Sequence, residues 1–205
     1  GGTWASLDIP LGPVVQAETA NVIALLPGSD PTLQDELIVI SAHYDHVGND
    51  PDTWMCDGQV VTDERVGSAG CEQIPGLTFS GANDNASGVA VMLEIARLWQ
   101  ESGYRPSRSV LFVAWGAQEP GNVGSTYFTQ NPTVPLDNII GLLNLDSIGG
   151  GPGPRLVNEG SWELAGNWLM AFNAANTLLD GRLRAELPTT GGDHEPFLAR
   201  HVPSL

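Results

Sequence analysis

The stretch VLFVAWGAQEPGNVGS, Val110–Ser125, decides how the rest of the chain is read. Val110 to Ala114 is an unbroken apolar run that passes into Trp115 and Gly116 and stops at the polar pair Gln118 and Glu119. Such a run, preceded by Arg108 and Ser109 and followed by glycines, predicts a buried central strand that delivers polar side chains at its carboxyl end. In an open α/β sheet that end is where ligands bind.

Working outward from this strand, Asn21 to Leu26 reads as an apolar strand closed by the turn formers Pro27, Gly28 and Ser29, with another strand expected over Pro13 to Glu18. Glu36 to Ala42 (ELIVISA) is a second buried strand, and it runs into His43, Tyr44, Asp45 and His46. Titratable groups at the end of a central strand are costly unless they are paired or coordinate something. On the other side, GANDNASG (Gly81–Gly88) leads into apolar residues Val89, Met92, Leu93, Ala96, Leu98 and Trp99 at helical spacing. A helix ending at Gly103 is therefore expected, with Asp84 at its amino-terminal entry. After the central strand, GNVGSTYFTQN starts another helix, and a third buried strand over Ile139 to Leu145 ends in Asp146. A short strand at Arg155 to Asn158, a helix over Trp162 to Leu179 and a glycine-loosened loop holding His194 complete the chain. Strands alternating with helices predict an α/β fold, a three-layer α/β/α sandwich around a mixed, mostly parallel sheet.

With 205 residues, 41% of them hydrophobic, the chain can bury one sizeable core, so residues 1–205 are expected to form a single domain. Residues 47–80 hold few apolar clusters and read as a long loop insertion, a candidate lid beside the site. Its Trp54, Met55 and Phe79, with Tyr44 before it, are candidate substrate contacts. The net charge of −16, from 24 acidic residues and 8 arginines, disfavours nucleic acid and anionic membrane as partners. No apolar run is long enough for membrane insertion, and the first residues lack the pattern of a signal peptide. Cys56 and Cys71 lie 15 apart without a nearby CxxC or histidine. Their first reading is a disulfide, which suggests a secreted, periplasmic or extracellular setting, with two free thiols as the alternative. No signal of oligomeric state stands in the sequence.

The polar residues at strand ends and helix entries are His43, Asp84, Glu119, Asp146 and His194. Two imidazoles and three carboxylates gathered together suit borderline cations, and one carboxylate can bridge two ions in a two-metal hydrolytic centre. The strings HYDHVG, GANDNASGVA, GAQEPGNVGS, NLDSIGG and GGDHEPF resemble, in order, the signature segments of the M28 family of co-catalytic zinc aminopeptidases. That resemblance implies a zinc-dependent exopeptidase fold, two zinc ions with a bridging water or hydroxide, and a peptide or small amino-acyl substrate. It also implies roles: Asp84 as bridging ligand with a cis Asp84–Asn85 peptide, His43 and Asp146 on one zinc, Glu119 and His194 on the other. Asp45 would hydrogen-bond the far nitrogen of His43 and orient it. His46 matches no ligand and reads as a loop histidine.

Two departures accompany the resemblance. Where the family has two adjacent glutamates, the first a general base, this chain has Gln118, an amide that can neither take nor give the proton. Activity is then expected to be reduced. The substitution is compatible with an engineered base knockout, with a relative that has become a peptide- or protein-binding module, or with a peptidase that recruits another base such as Glu72. A carboxypeptidase, amidohydrolase or glutaminyl cyclase is a further alternative; a free carboxylate substrate calls for an arginine, for which Arg65 and Arg155 are candidates. The second departure is that only eleven residues follow His194, where the family continues with a strand and a long helix, so a truncated carboxyl terminus is expected.

Overall fold

A computed structural model describes residues 4–9, 15–50, 54–56, 59–61, 70–74, 77–150, 155–157, 184–186 and 191–205. The strands in chain order are β1 (Trp4–Ile9), β2 (Val15–Ala20), β3 (Val22–Leu26), β4 (Leu37–His43), β5 (Asn49–Asp50), β6 (Trp54–Cys56), β7 (Gln59–Val61), β8 (Cys71–Gln73), β9 (Leu77–Thr78), β10 (Ser109–Trp115), β11 (Ile139–Asn144), β12 (Arg155–Val157) and β13 (Arg184–Glu186). The helices are α1 (Ser87–Ser102), α2 (Val123–Gln130) and the short α3 (Glu195–Leu198). The helix expected over Trp162 to Leu179 lies outside the described residues. None of the described helices is long and apolar enough to cross a membrane.

Two compact units divide the chain, Gly1–Asp45 with Ala82–Leu205, and His46–Gly81. The first is organised by a four-stranded sheet in the order β11-β4-β10-β3. β10 pairs parallel with β4 and antiparallel with β3, and β11 runs parallel on the far side of β4. Beyond β11, Leu142 makes a parallel bridge to Ser204, so the last residues lie where a fifth strand would. The central strands are apolar without interruption because both of their faces are covered. One face sets Val39, Leu111, Val113, Trp115 and Leu142 against Phe128 of α2 and Phe197 of α3. The other sets Ile40, Val110 and Phe112 against Met92, Ile95 and Trp99 of α1. This is the expected α/β sandwich with helices on both sides of a mixed, mostly parallel sheet.

Trp115, Phe128 and Phe197 form an aromatic cluster with ring centroids 5.5 to 5.9 Å apart. Trp115 stands three positions before Gln118, and Phe197 three after His194, so this packing sets where two site segments meet the sheet. At the other end of its length α1 stops at Gly103, whose φ of 70° is a left-handed cap that glycine adopts without penalty.

The second unit holds an antiparallel three-stranded sheet, β7-β6-β8, in which Cys56 is paired with Cys71 in register and joined to it by a disulfide. β5 pairs with β9, and the Phe79 ring stands edge-on to His46 at 6.4 Å. Met55 is half-buried, while the Trp54 side chain, Arg65 and the side chain of Arg155 lie outside the described residues.

Candidate metal centre

Strand register brings the site together. Ala114 is opposite Ala42 and Trp115 opposite His43, so the loop carrying Gln118 and Glu119 leaves the sheet beside the end of β4. Asn144 of β11 is opposite Ser41, so Asp146 arrives at the same edge from the other side. Asp84 enters from the turn Ala82–Ala86 in front of α1, where the Asp84–Asn85 peptide is cis. The backbone turns sharply at the edge: Ala117 and Ser147, next to Gln118 and Asp146, have φ of 55° and 51°.

His43 is fully buried. Its Nδ1 donates to the Asp45 carbonyl at 3.1 Å, which leaves a bare lone pair on Nε2 of the neutral ring. That atom lies 3.0 Å from Asp84 Oδ1 and 3.6 Å from Asp146 Oδ1, and it forms a hydrogen bond with neither. Donor atoms of His43, Asp84 and Asp146 all fall within 4.8 Å of one another. An imidazole nitrogen and two carboxylates offer lone pairs alone, and a divalent cation with nitrogen and oxygen ligands fits that set. In its absence a proton takes up part of the charge: burial pushes the His43 pKa down, but the Asp146 carboxylate outweighs it and holds the ring at about 9. Asp146 sits below the usual carboxylate range: burial raises it, but the neighbouring His43 ring and the Ser147 hydroxyl, 3.1 Å away, together lower it more.

Asp45 engages His43 differently from expectation. Its carboxylate stands 3.8 Å from Nδ1 and instead accepts two backbone N–H groups, that of Gln118 at 2.9 Å and that of Glu119 at 3.1 Å. The reason is supply and direction: two successive amides of a turned loop face both carboxylate oxygens, and the Asp45 carbonyl already meets the ring. One residue therefore fixes the imidazole through its backbone and the Gln118–Glu119 segment through its side chain.

A second clamp joins the Asp84 segment to the Asp146 segment. Asn85, buried, donates from Nδ2 to the Leu145 carbonyl at 2.9 Å, and its Oδ1 accepts the N–H of Gly88 at 3.1 Å and of Ser147 at 3.2 Å. Asn83 Oδ1 accepts the Gly149 N–H at 2.7 Å, and Ser87 Oγ accepts the Ile148 N–H at 3.1 Å. Gly88 is required here, because a Cβ would collide with the Leu145 carbonyl and the Asn85 side chain.

His194 caps the amino end of α3 rather than sitting in a free loop, and its carbonyl receives the N–H groups of Phe197 and Leu198. Gly192 leaves room for its ring, which lies where a Cβ at that position would fall. The adjacent Asp193 is fully buried and accepts the Ser125 hydroxyl of α2 at 2.6 Å. Burial pushes its carboxyl up to about 7, against the Ser125 bond and the charge of His43.

Thus His43, Asp84 and Asp146 form one cluster, while Glu119 and His194 sit on segments tied to the same edge. The Tyr44 hydroxyl donates to the Ala20 carbonyl at 2.7 Å and ties the end of β4 to β2. Asn85, Ser125, Asp193 and Gly191 are the residues that motif reading passes over. Partners such as Leu145 for Asn85, Ser125 for Asp193 and Gln118 for Gly191 stand 60 to 73 positions away, where no local pattern marks them.

The model for Peptidase family M28 matches residues 21–205. Leupeptin-inactivating enzyme 1 of Streptomyces exfoliatus is 34% identical over 187 residues, 89% of this chain and 34% of that protein. A probable zinc metalloprotease of Pyricularia oryzae is 33% identical over 137 residues, 66% of this chain and 22% of its own length. The chain therefore spans about a third, or less, of the length of these curated relatives. Among solved structures, an aminopeptidase from Aneurinibacillus sp. strain AM-1 superposes with a TM-score of 0.65 at 26% identity, covering 94% of this chain and 39% of that one.

Proposed function

The chain belongs to peptidase family M28, and on that footing we propose that it is a zinc metallo-exopeptidase domain that removes amino-terminal residues from peptides. The observation that carries this reading is the buried His43 Nε2 set between the Asp84 and Asp146 carboxylates at the carboxyl edge of the parallel strands. His43 and Asp146 would hold one zinc ion and Glu119 and His194 a second, with Asp84 available as a ligand to either. Zinc bound there supplies Lewis-acid polarisation of the scissile carbonyl and acidifies water.

The chain's own residues do the rest. The Asp45 carbonyl keeps the proton of His43 on Nδ1, so that Nε2 stays a donor atom. The Asp45 carboxylate holds the Glu119 backbone in place for its side chain to act as a ligand. Asn85 fixes the spacing of Asp84 and Asp146. Gln118 stands where the family pattern has a general base, and its amide cannot carry a proton, so turnover falls below that of a carboxylate-assisted enzyme by about 10² to 10⁴. A second reading, a metal-holding peptide-binding module without turnover, is favoured by Gln118 alone.

The test is to load the protein with zinc and follow release from aminoacyl chromogenic substrates and from their N-acetylated forms. Slow, chelator-sensitive release from the free amines alone is the expected result. Binding of the free peptides without release supports the module, and failure to take up zinc at all would overturn both.

A further inference from the structure

We infer that Gln118 is a positioning residue: its side chain latches the loop that carries His194, a task that a glutamate at this place cannot perform. The inference deepens the metallopeptidase reading and rests on it for its effect on metal, though not for the latch itself. Gln118 Nε2 donates to the Gly191 carbonyl at 2.9 Å. A carbonyl only accepts, so the amide must turn its NH₂ toward Gly191, and the orientation is fixed by chemistry.

Both ends of the bond are anchored. The Gln118 N–H is held by Asp45, and its carbonyl receives the N–H groups of Gly121 and Asn122, each at 2.8 Å. On the loop side, Gly191 has a φ of 109°, and its N–H is taken by Glu195 Oε1 at 2.8 Å. Glu195 in turn donates its own N–H to the Gly192 carbonyl at 3.1 Å, and Asp193 is bound by Ser125 at 2.6 Å. The segment from Gly191 to Glu195 is thus a small self-bonded unit that Ser125 and Gln118 pin from outside. Ser125 holds it to α2, and Gln118 holds it to the turn at the end of β10. His194 stands inside that unit.

A carboxylate in place of the amide would set its lone pairs against the Gly191 carbonyl and release the outer pin. The exchange of glutamate for glutamine at this position therefore does more than remove a base. It adds a tie between two segments of the site, and restoring glutamate breaks that tie.

The experiment compares the wild type with Gln118→Met, close in shape but without a donor, and Gln118→Glu, all as metal-free protein. Backbone amide exchange is read across residues 191–194, with exchange in β4 and β10 as the check that the fold is unchanged. Loss of one hydrogen bond should speed exchange across 191–194 by about fivefold to tenfold in both variants. Wild-type exchange rates in both would overturn the latch. Chelator competition with zinc then separates the two readings. Weaker zinc retention by Gln118→Met than by the wild type supports positioning of His194, and equal retention overturns it; Gln118→Glu, whose added carboxylate attracts a cation in its own right, is read by amide exchange alone. A wild type that takes up no zinc overturns the metal reading while the exchange result still judges the latch.

Discussion

The Asp45 carboxylate accepts the backbone N–H of Gln118 at 2.9 Å, across 73 positions of sequence, and the N–H of Glu119 with its other oxygen. Both amides belong to a loop that leaves the sheet one strand away, so this carboxylate sets the height of the Gln118–Glu119 turn above His43. Asp45→Asn keeps one acceptor and points an NH₂ at the second amide. The variant should lose about 1 to 3 kcal/mol of stability in urea titration. Its zinc retention should fall by roughly 10 to 100-fold, as loss of a group that orients metal ligands does. Retention equal to wild type would show that the turn is held without Asp45.

Asn85 satisfies three backbone groups from a buried position, and two of them belong to the segment that bears Asp146. Asn85→Asp keeps the shape but replaces the donor to Leu145 with a lone pair in a buried site. A destabilisation of roughly 2 to 4 kcal/mol is expected, larger than for exposed polar changes. Gly88→Ala should be as severe, because the new methyl meets a backbone carbonyl that cannot move aside. Equilibrium unfolding of the two variants measures both.

The metal-free protein should lose stability as pH rises. Folded His43 titrates at about 9, against about 6.5 when unfolded. Its contribution is full below about 6.5, shrinks by up to about 1.4 kcal/mol per pH unit above that, and is gone past about 9. Asp193, raised to about 7, acts in the same direction at lower pH: the folded state favours the neutral acid, and stability falls as the unfolded carboxyl ionises. Asp146 is depressed, so its contribution is present above its unfolded value of about 3.8 and lost only as pH falls through its folded one. Urea midpoints in chelator should therefore decrease from pH 5.5 to 8.5; an increase would contradict the assignment. With zinc added, the trend should reverse, because binding requires His43 to give up its proton.

Within the second unit, the Cys56–Cys71 disulfide ties two strands already in register. Closing a loop of about this length restrains the unfolded chain by about 3 kcal/mol. Replacing both cysteines with serine should leave amide exchange in β4 and β10 as it was and speed exchange in β6 and β8. Uniform loss of protection across both units would show instead that they unfold together.

His43, Gln118, Glu119 and Asp146 are legible in the sequence because each follows an apolar run that forms a strand, and β4, β10 and β11 are parallel, so their carboxyl ends share an edge. The three-layer architecture is legible for the same reason, through Val39 and Ile40 facing opposite helices. Asp45 is legible as a neighbour of the site but not in its task, since its acceptor bonds go to backbone amides selected by strand register. Asp193 and Ser125 are silent in the sequence, because neither a buried aspartate nor a helical serine announces its partner. Tyr44 is legible as an exposed aromatic beside His43, but the bond from its hydroxyl to the Ala20 carbonyl is not, because it depends on the path of β2.

Phe197 tests whether packing under the sheet governs the site above it. Its ring is fully buried between Trp115 at 5.7 Å and Phe128 at 5.9 Å, and it stands one turn past His194. Phe197→Ala should cost about 3 to 5 kcal/mol, the range for removing a large buried ring. Phe197→Leu fills most of the space and should cost much less. If the aromatic cluster positions His194, zinc retention should weaken in Phe197→Leu even while the protein remains folded. Leu37→Val, a change in the same core at the opposite end of β4 from His43, serves as the control and should leave retention as it is. Equal retention in Phe197→Leu and wild type would place the control of His194 in its own loop, with Gly191 and Asp193, rather than in the core beneath.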